Sequence, residues 1–190
     1  MTRYFTFLSF SGTAYNGWQI QPGKHTVQGV LTKALSTVLS SQIDVTGAGR
    51  TDTGVHASFF CVHFDAARND LDTDNQLLYN LNGILPDDIA IKRIVKVKPE
   101  ANARFDAISR TYQYTVTRVK DPFCADTAWL LYWQLDIEKM NEAASILLKH
   151  SDFTSFSRLH GSNRTNICRV SHARWQDEGD RLIFTITADR

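Results

Sequence analysis

IAIKRIVKV, residues 89–97, alternates apolar and basic residues as a half-buried strand does. Its place in the order of elements decides the fold. Just upstream, Pro86 stops a helix expected to begin near Thr73, where the threonine hydroxyl and Gln76 form a capping box and Leu77, Leu78 and Leu81 turn inward. Before that helix come a short strand at 42–46 and a second, SFFCVHF, at 58–64, joined by GAGRTDTGVHA at 47–57. Earlier still, TVQGVLTKALSTVLS (26–40) places Val27, Val30, Leu31, Ala34, Leu35, Val38 and Leu39 at helical spacing, with Thr26 as N-cap. RYFTFLSF (3–10) is a strand closed by the Ser11-Gly12 turn signal. The strand at 89–97 thus completes βαββαβ, the ferredoxin-like order.

From Arg110 the order starts again. RTYQYTVTRV reads as a strand, and a helix from about Asp136 carries Met140, Ala143, Ala144, Leu147 and Leu148 on one face. RVSHARWQ and RLIFTITA then form a hairpin turned by Asp177-Glu178-Gly179-Asp180. That is βαββ. The expectation is an α+β protein of two ferredoxin-like (βαββαβ) halves with mostly antiparallel sheets, 1–104 and 105–190, the second truncated at its C-terminus before its last helix and strand.

Composition sets the class. With 43% hydrophobic and 22% charged residues the chain is of globular type, and a net charge of +1 neither favours nor excludes a nucleic-acid partner. Charge distribution says more: residues 153–176 carry Arg158, Arg164, Arg169 and Arg174 with His160 and His172 and no acid, a candidate phosphate-facing surface or a plain solvated face. Cys61, Cys124 and Cys168 are widely spaced and form no C-x-x-C pair, which fits a reducing compartment. No stretch approaches the ~20 apolar residues of a membrane span, so a cytoplasmic location is expected.

The loop GAGRTDTGVHA holds more chemistry than a turn requires. Glycines 47, 49 and 54 allow positive φ and close approach of a ligand. Asp52, ionised at neutral pH, is a nucleophile without a partner base, and Arg50 can hold either that carboxylate or a substrate phosphate. Blander readings compete: Asp52 as an Asx-turn residue bonding the Gly54 N–H, a phosphate cradle lacking the G-x-x-x-x-G-K-[ST] pattern, or a zinc site from His56, Cys61 and His63 at a spacing that fits no common finger.

AGRTDTGVHA resembles the signature of the tRNA pseudouridine synthase A (TruA) family, in which the aspartate of G-R-T-D is the catalytic nucleophile. YNGWQIQP (15–22) with TVQGVLTKAL, LPDDIAI (85–91), ARFDAISRTYQYTV (103–116) and HSDFTSFSR (150–158) resemble further family blocks in family order. Members of that family continue past the strand matching FTITADR into a helix with another arginine-containing motif, in line with the missing helix and strand inferred from element order.

The resemblance implies an isomerase that breaks the N1 glycosidic bond of uridine, turns the uracil, joins C5 to C1′ and releases the C5 proton. That chemistry needs no redox step, hence no cofactor and no metal. Asp52 is the expected nucleophile, attacking either C6 of the ring or C1′ of the sugar. Tyr112, at the family's substrate-stacking tyrosine in SRTYQY, would hold the flipped base. Arg50 would prop the RNA backbone or fill the space the base leaves, and Arg104 and Arg110 would contact phosphates; as surface ion-pair partners the three arginines would be worth ~0–1 kcal/mol each. Trp18, Phe153 and Phe156 are left outside the catalytic set. The implied partner is the anticodon stem-loop of tRNA, modified at positions 38 to 40 by a homodimer.

Two rival functions remain at this point. A non-catalytic RNA-binding module shares the βαββαβ order, though RYFTFLSF and SFFCVHFDA lack the RNP1 pattern, and a truncated, inactive synthase would still bind tRNA. A carboxylate hydrolase would require a second acid that the loop does not supply.

Overall fold

A computed structural model of the chain describes residues 1–157 and 165–189. Arg158, His160 and Arg164 of the basic stretch lie outside the described residues. Among the described residues the class is the expected α+β: two four-stranded, mostly antiparallel sheets and three α-helices. The chain forms two compact units, Met1–Ala107 and Ile108–Arg190.

The first unit runs β1 (Thr2–Phe10), α1 (Val27–Val38), β2 (Thr46–Gly47), β3 (Ala57–Ala66), α2 (Asn75–Ile84) and β4 (Ile89–Lys96). Its sheet order is β2-β3-β1-β4 with every neighbouring pair antiparallel. Two interleaved βαβ crossovers produce that order, each leaving one antiparallel strand between its own two, as the ferredoxin-like pattern requires. On β1, Tyr4, Thr6, Leu8 and Phe10 are buried and the intervening residues only partly so. They share a core with Phe60, Val62 and Phe64 of β3, Leu31 and Leu35 of α1, and Leu77 and Leu81 of α2. Each fully buried leucine contributes ~1.5–3 kcal/mol of transfer free energy to that layer.

The strand that decides the fold departs from strict alternation. Ile89, Ile91 and Ile94 are buried, whereas Lys92 and Arg93 are both exposed. The pairing with β1 passes from Leu8↔Ile91 to Phe7↔Arg93, so Lys92 is the extra residue of a β-bulge. The bulge brings Ile94 back to the core and lets Arg93 lie over the Phe7 ring, 4.4 Å from its centroid.

Two further expectations of this unit are corrected. The strand expected at 42–46 shrinks to Thr46–Gly47, because α1 satisfies the backbone upstream: Ser36 Oγ accepts from the Ile43 N–H at 3.0 Å and Gln28 Nε2 donates to the Val45 carbonyl at 2.7 Å. Helix α2 starts at Asn75 with Asp74 as its N-cap, its carboxylate accepting from the Leu77 N–H at 2.9 Å. Thr73 instead donates to the Asp70 carbonyl in the preceding turn. An ionised acceptor at the helix start, also paired with Arg68 at 2.8 Å, outcompetes a neutral hydroxyl one residue earlier.

The second unit comprises β5 (Arg110–Thr117), β6 (Trp129–Leu130), α3 (Ile137–Leu147), β7 (Val170–Asp177) and β8 (Arg181–Ala188), with sheet order β6-β5-β8-β7. Strand β6, parallel to β5, is too short for any alternation to announce it. Helix α3 begins where expected, with Asp136 as its N-cap, but only Ala144 of its apolar face is buried. Leu147 packs on Val170 and Ala173, while Ala143 and Leu148 are exposed, since the helix covers the β7 side of the sheet alone. The β7–β8 turn is closed by the Glu178 N–H on the Arg181 carbonyl at 2.8 Å, with Gly179 at φ +80°. Among the described residues no helix is long and apolar enough to cross a membrane.

Candidate active site

The loop between β2 and β3 carries Asp52, and a second loop, residues 11–18, lies against it. Ala48 extends the pairing with β3 by donating to the Cys61 carbonyl at 2.8 Å. The Thr51 carbonyl then accepts the Trp18 N–H at 3.1 Å, the Gly54 N–H donates to the Tyr15 carbonyl at 3.3 Å, and the Val55 N–H returns to the Asp52 carbonyl at 3.3 Å. His56 ends the loop, its Nδ1 accepting the Gly12 N–H at 3.1 Å with Ser11 Oγ 3.2 Å away.

Glycines make this approach possible, though not in the way their positions in the sequence suggest. Of Gly47, Gly49 and Gly54, only Gly54 has a positive φ, +80°. At Gly47 the space is taken by protein rather than by a ligand: a Cβ there would stand 2.6 Å from the Trp18 indole and 2.8 Å from Phe60. Trp18 is accordingly a core residue, 2% exposed, its ring 4.5 Å from that of Phe60. On the facing loop, a Cβ at Gly12 would collide with the Val55 carbonyl.

The 11–18 loop is anchored from the other end of the unit. The buried Tyr15 phenol donates to Asp88 Oδ1 at 2.6 Å, its ring stacks on His25 at 4.8 Å, and the Ser11 N–H donates to the Asp88 carbonyl oxygen at 2.8 Å. Burial, then the hydrogen bond to Asp88 and that residue's charge, push the Tyr15 hydroxyl well above the usual phenol range. The phenol therefore stays a donor, and Asp88 keeps its grip on the loop.

Asp52 itself is exposed at the tip. Its carboxylate takes no hydrogen bond or ion pair among the described residues, and the Gly54 N–H that an Asx turn would use goes to Tyr15 instead. An open, ionic oxygen on a loop pinned on both sides suits nucleophilic attack on a bound ligand. Arg50, two residues earlier, is also exposed.

The family model for tRNA pseudouridine synthase matches residues 7–106, which contain this whole loop pair. The chain belongs to the tRNA pseudouridine synthase family. It is 50% identical to tRNA pseudouridine synthase A of Bacteroides fragilis, over 99% of this chain and 75% of that protein. It is 51% identical to the protein of the same name from Bacteroides thetaiotaomicron, over all of this chain and 71% of that one. With tRNA pseudouridine synthase A of Fervidobacterium nodosum the identity is 40%, over 97% and 75%.

The remaining family-motif residues fall in separate places. Arg104 sits in the loop after β4, where its own N–H and that of Phe105 donate to Asn102 Oδ1 and the Ala103 N–H donates to His63 Nδ1 at 3.1 Å. Its guanidinium lies 5.6 Å from the centroid of the Phe105 ring. Arg110 and Tyr112 belong to the second unit, on β5, paired with Ala188 and Ile186 of β8. They share the face that α3 covers over β7, and because the helix stops short of β5, Tyr112 remains 50% exposed. His172 and Arg174, paired with Thr187 and Thr185, project from the opposite face. Strand alternation thus separates His172 and Arg174 from Tyr112.

Sequence reasoning missed Tyr15 and Asp88 as supports of the Asp52 loop. Both fall inside family blocks, YNGWQIQP and LPDDIAI, but 73 positions separate them.

Proposed function

We propose that this chain isomerises uridine to pseudouridine in tRNA, with Asp52 as the nucleophile and the anticodon stem-loop, positions 38 to 40, as target. The observation that carries the reading is the exposed Asp52 carboxylate on a doubly pinned loop, in a member of this family. The N1–C1′ bond breaks, a C5–C1′ bond forms, the C5 proton leaves and N1 gains one, so substrate and product are isomers and no oxidant or reductant enters. Asp52 bonds transiently to the nucleoside and is released when the new bond is complete. Tyr112, half exposed on its strand, offers a ring face for a base turned out of the RNA stack. Arg50 props the RNA backbone or fills the vacated space, and Arg104 and Arg110 meet phosphates. The working unit is a homodimer, which doubles the phosphate contacts available to a chain of net charge +1.

The test is release of tritium from C5-labelled uridine in tRNA by the wild type and by Asp52→Asn, followed by mapping of pseudouridine in the product. Release is expected from the wild type alone, with the product at positions 38 to 40. Equal release by both proteins removes the nucleophile from the reading, and product elsewhere removes the target.

A further inference from the structure

The contacts that pin the Asp52 loop to residues 11–18 include one made by a side chain of the loop itself. Trp18 to Thr51 and Gly54 to Tyr15 are main-chain hydrogen bonds. The Gly12 N–H, in contrast, ends on the imidazole of His56 at 3.1 Å. A backbone N–H can only donate, so Nδ1 is the acceptor and the ring's proton sits on Nε2.

Gly12 is buried, with the Val55 carbonyl packed where its side chain would be. Its N–H has to find a partner inside that contact or go without one, at a cost comparable to a lost hydrogen bond. His56 supplies it, four residues after Asp52, and so fixes the leg of the loop by which the chain leaves the carboxylate and enters β3 at Ala57. The Trp18–Thr51 bond fixes the other leg.

We propose that His56 is a positioning residue for the reaction: by accepting the Gly12 N–H at Nδ1 it holds the Asp52 carboxylate in its productive direction without touching substrate. The proposal rests on Asp52 being the nucleophile. It also makes a specific demand on side-chain chemistry, since asparagine presents Oδ1 at the topological position of Nδ1, whereas alanine presents no acceptor.

The experiment compares wild type, His56→Ala, His56→Asn and Asp52→Asn in the 190-residue chain. Three readouts are taken: hydrogen exchange at the Gly12 amide, single-turnover tritium release from tRNA, and tRNA affinity. In His56→Ala, Gly12 exchange is expected to speed up about tenfold or more and turnover to fall about 10- to 100-fold, with tRNA affinity within about threefold of wild type. His56→Asn is expected to restore both exchange and turnover to within about threefold of wild type. Wild-type turnover in His56→Ala overturns the proposal, as does unchanged Gly12 exchange there. An Asn variant that protects Gly12 yet turns over as slowly as alanine also overturns it. Wild-type turnover in Asp52→Asn identifies the other failure, that of the nucleophile, whatever Gly12 does.

Discussion

The Tyr15 phenol and the Asp88 carboxylate, 73 residues apart, meet at 2.6 Å, and the carbonyl of the same tyrosine receives the Gly54 N–H from the Asp52 loop. One side chain at the end of α2's connection thus reaches the candidate nucleophile through a single buried ring. Tyr15→Phe leaves Asp88 without its donor and should cost ~1.5–3 kcal/mol, the range for a hydrogen bond to a charged group. The alkaline limb provides a signature. Because the folded state holds this hydroxyl protonated above its usual range, the unfolded chain ionises first, and stability falls as pH rises through about 10 toward the folded value. Thermal unfolding from pH 7 to 10.5 should show a smaller alkaline loss in Tyr15→Phe than in wild type. Tyr4 and Cys61 act in the same direction in both proteins and drop out of the difference.

Loop packing can be separated from backbone strain with two alanines. At Gly12 a Cβ would run into the Val55 carbonyl, main chain that cannot step aside, so Gly12→Ala should cost ~1–3 kcal/mol and depress turnover with it. Gly23 sits at φ +69° with nothing within 4 Å of a Cβ, so Gly23→Ala should carry only ~1–2 kcal/mol of left-handed strain and leave turnover intact. Denaturant midpoints and tritium release on the pair check both statements.

Acid stability has its own reporter in His63. The residue is 8% exposed; burial, aided by the charge of Arg3 and opposed by Asp65 and Asp106, lowers its imidazole below the usual range. The unfolded chain therefore takes up the proton first, and the His63 contribution, full above about 6.5, is lost as pH falls through that value and below. His63→Asn keeps an acceptor for the Ala103 N–H and removes the titration. Its melting temperature should change less between pH 7 and pH 5 than that of wild type. Asp65, held low chiefly by its hydrogen bond from Arg3, begins to lose its contribution only as pH falls into the carboxylate range, below most of the interval from pH 7 to pH 5.

Tyr112 tests the proposed base-holding role. Half exposed on β5, it contributes little to the second unit's core, so Tyr112→Ala should barely move the melting temperature. Turnover on tRNA should fall by the worth of one stacked base, ~1–3 kcal/mol in the barrier. Tyr112→Phe should retain that stacking, and any turnover it loses relative to wild type measures the hydroxyl. Wild-type turnover in Tyr112→Ala would end the stacking role.

Local pattern carried the fold a long way. Alternation in RYFTFLSF, the helical spacing from Val27 to Leu39 and the turn at Asp177–Asp180 are properties of neighbouring residues, and each element formed within a few positions of its expected bounds. The misreadings share one cause: a competitor from elsewhere in the chain or from the next position. Gln28 and Ser36 took the backbone partners that a longer β2 would have used, and Asp74 displaced Thr73 as a cap. Lys92 is the extra residue at the register shift between β4 and β1, and β6 exists only through its pairing with β5.

For the site the division is similar. Asp52 could be nominated, with its glycine-rich surroundings, from eleven consecutive letters, because a candidate nucleophile is suggested by residue type and a motif by spacing. What the letters did not contain is the support beneath it: Gly12 on His56, Tyr15 between Gly54 and Asp88, and Trp18 in the space above Gly47. A hydrogen bond or a collision depends on distances between groups far apart in the chain, and those distances exist only once the sheet has brought β1, β3 and β4 side by side.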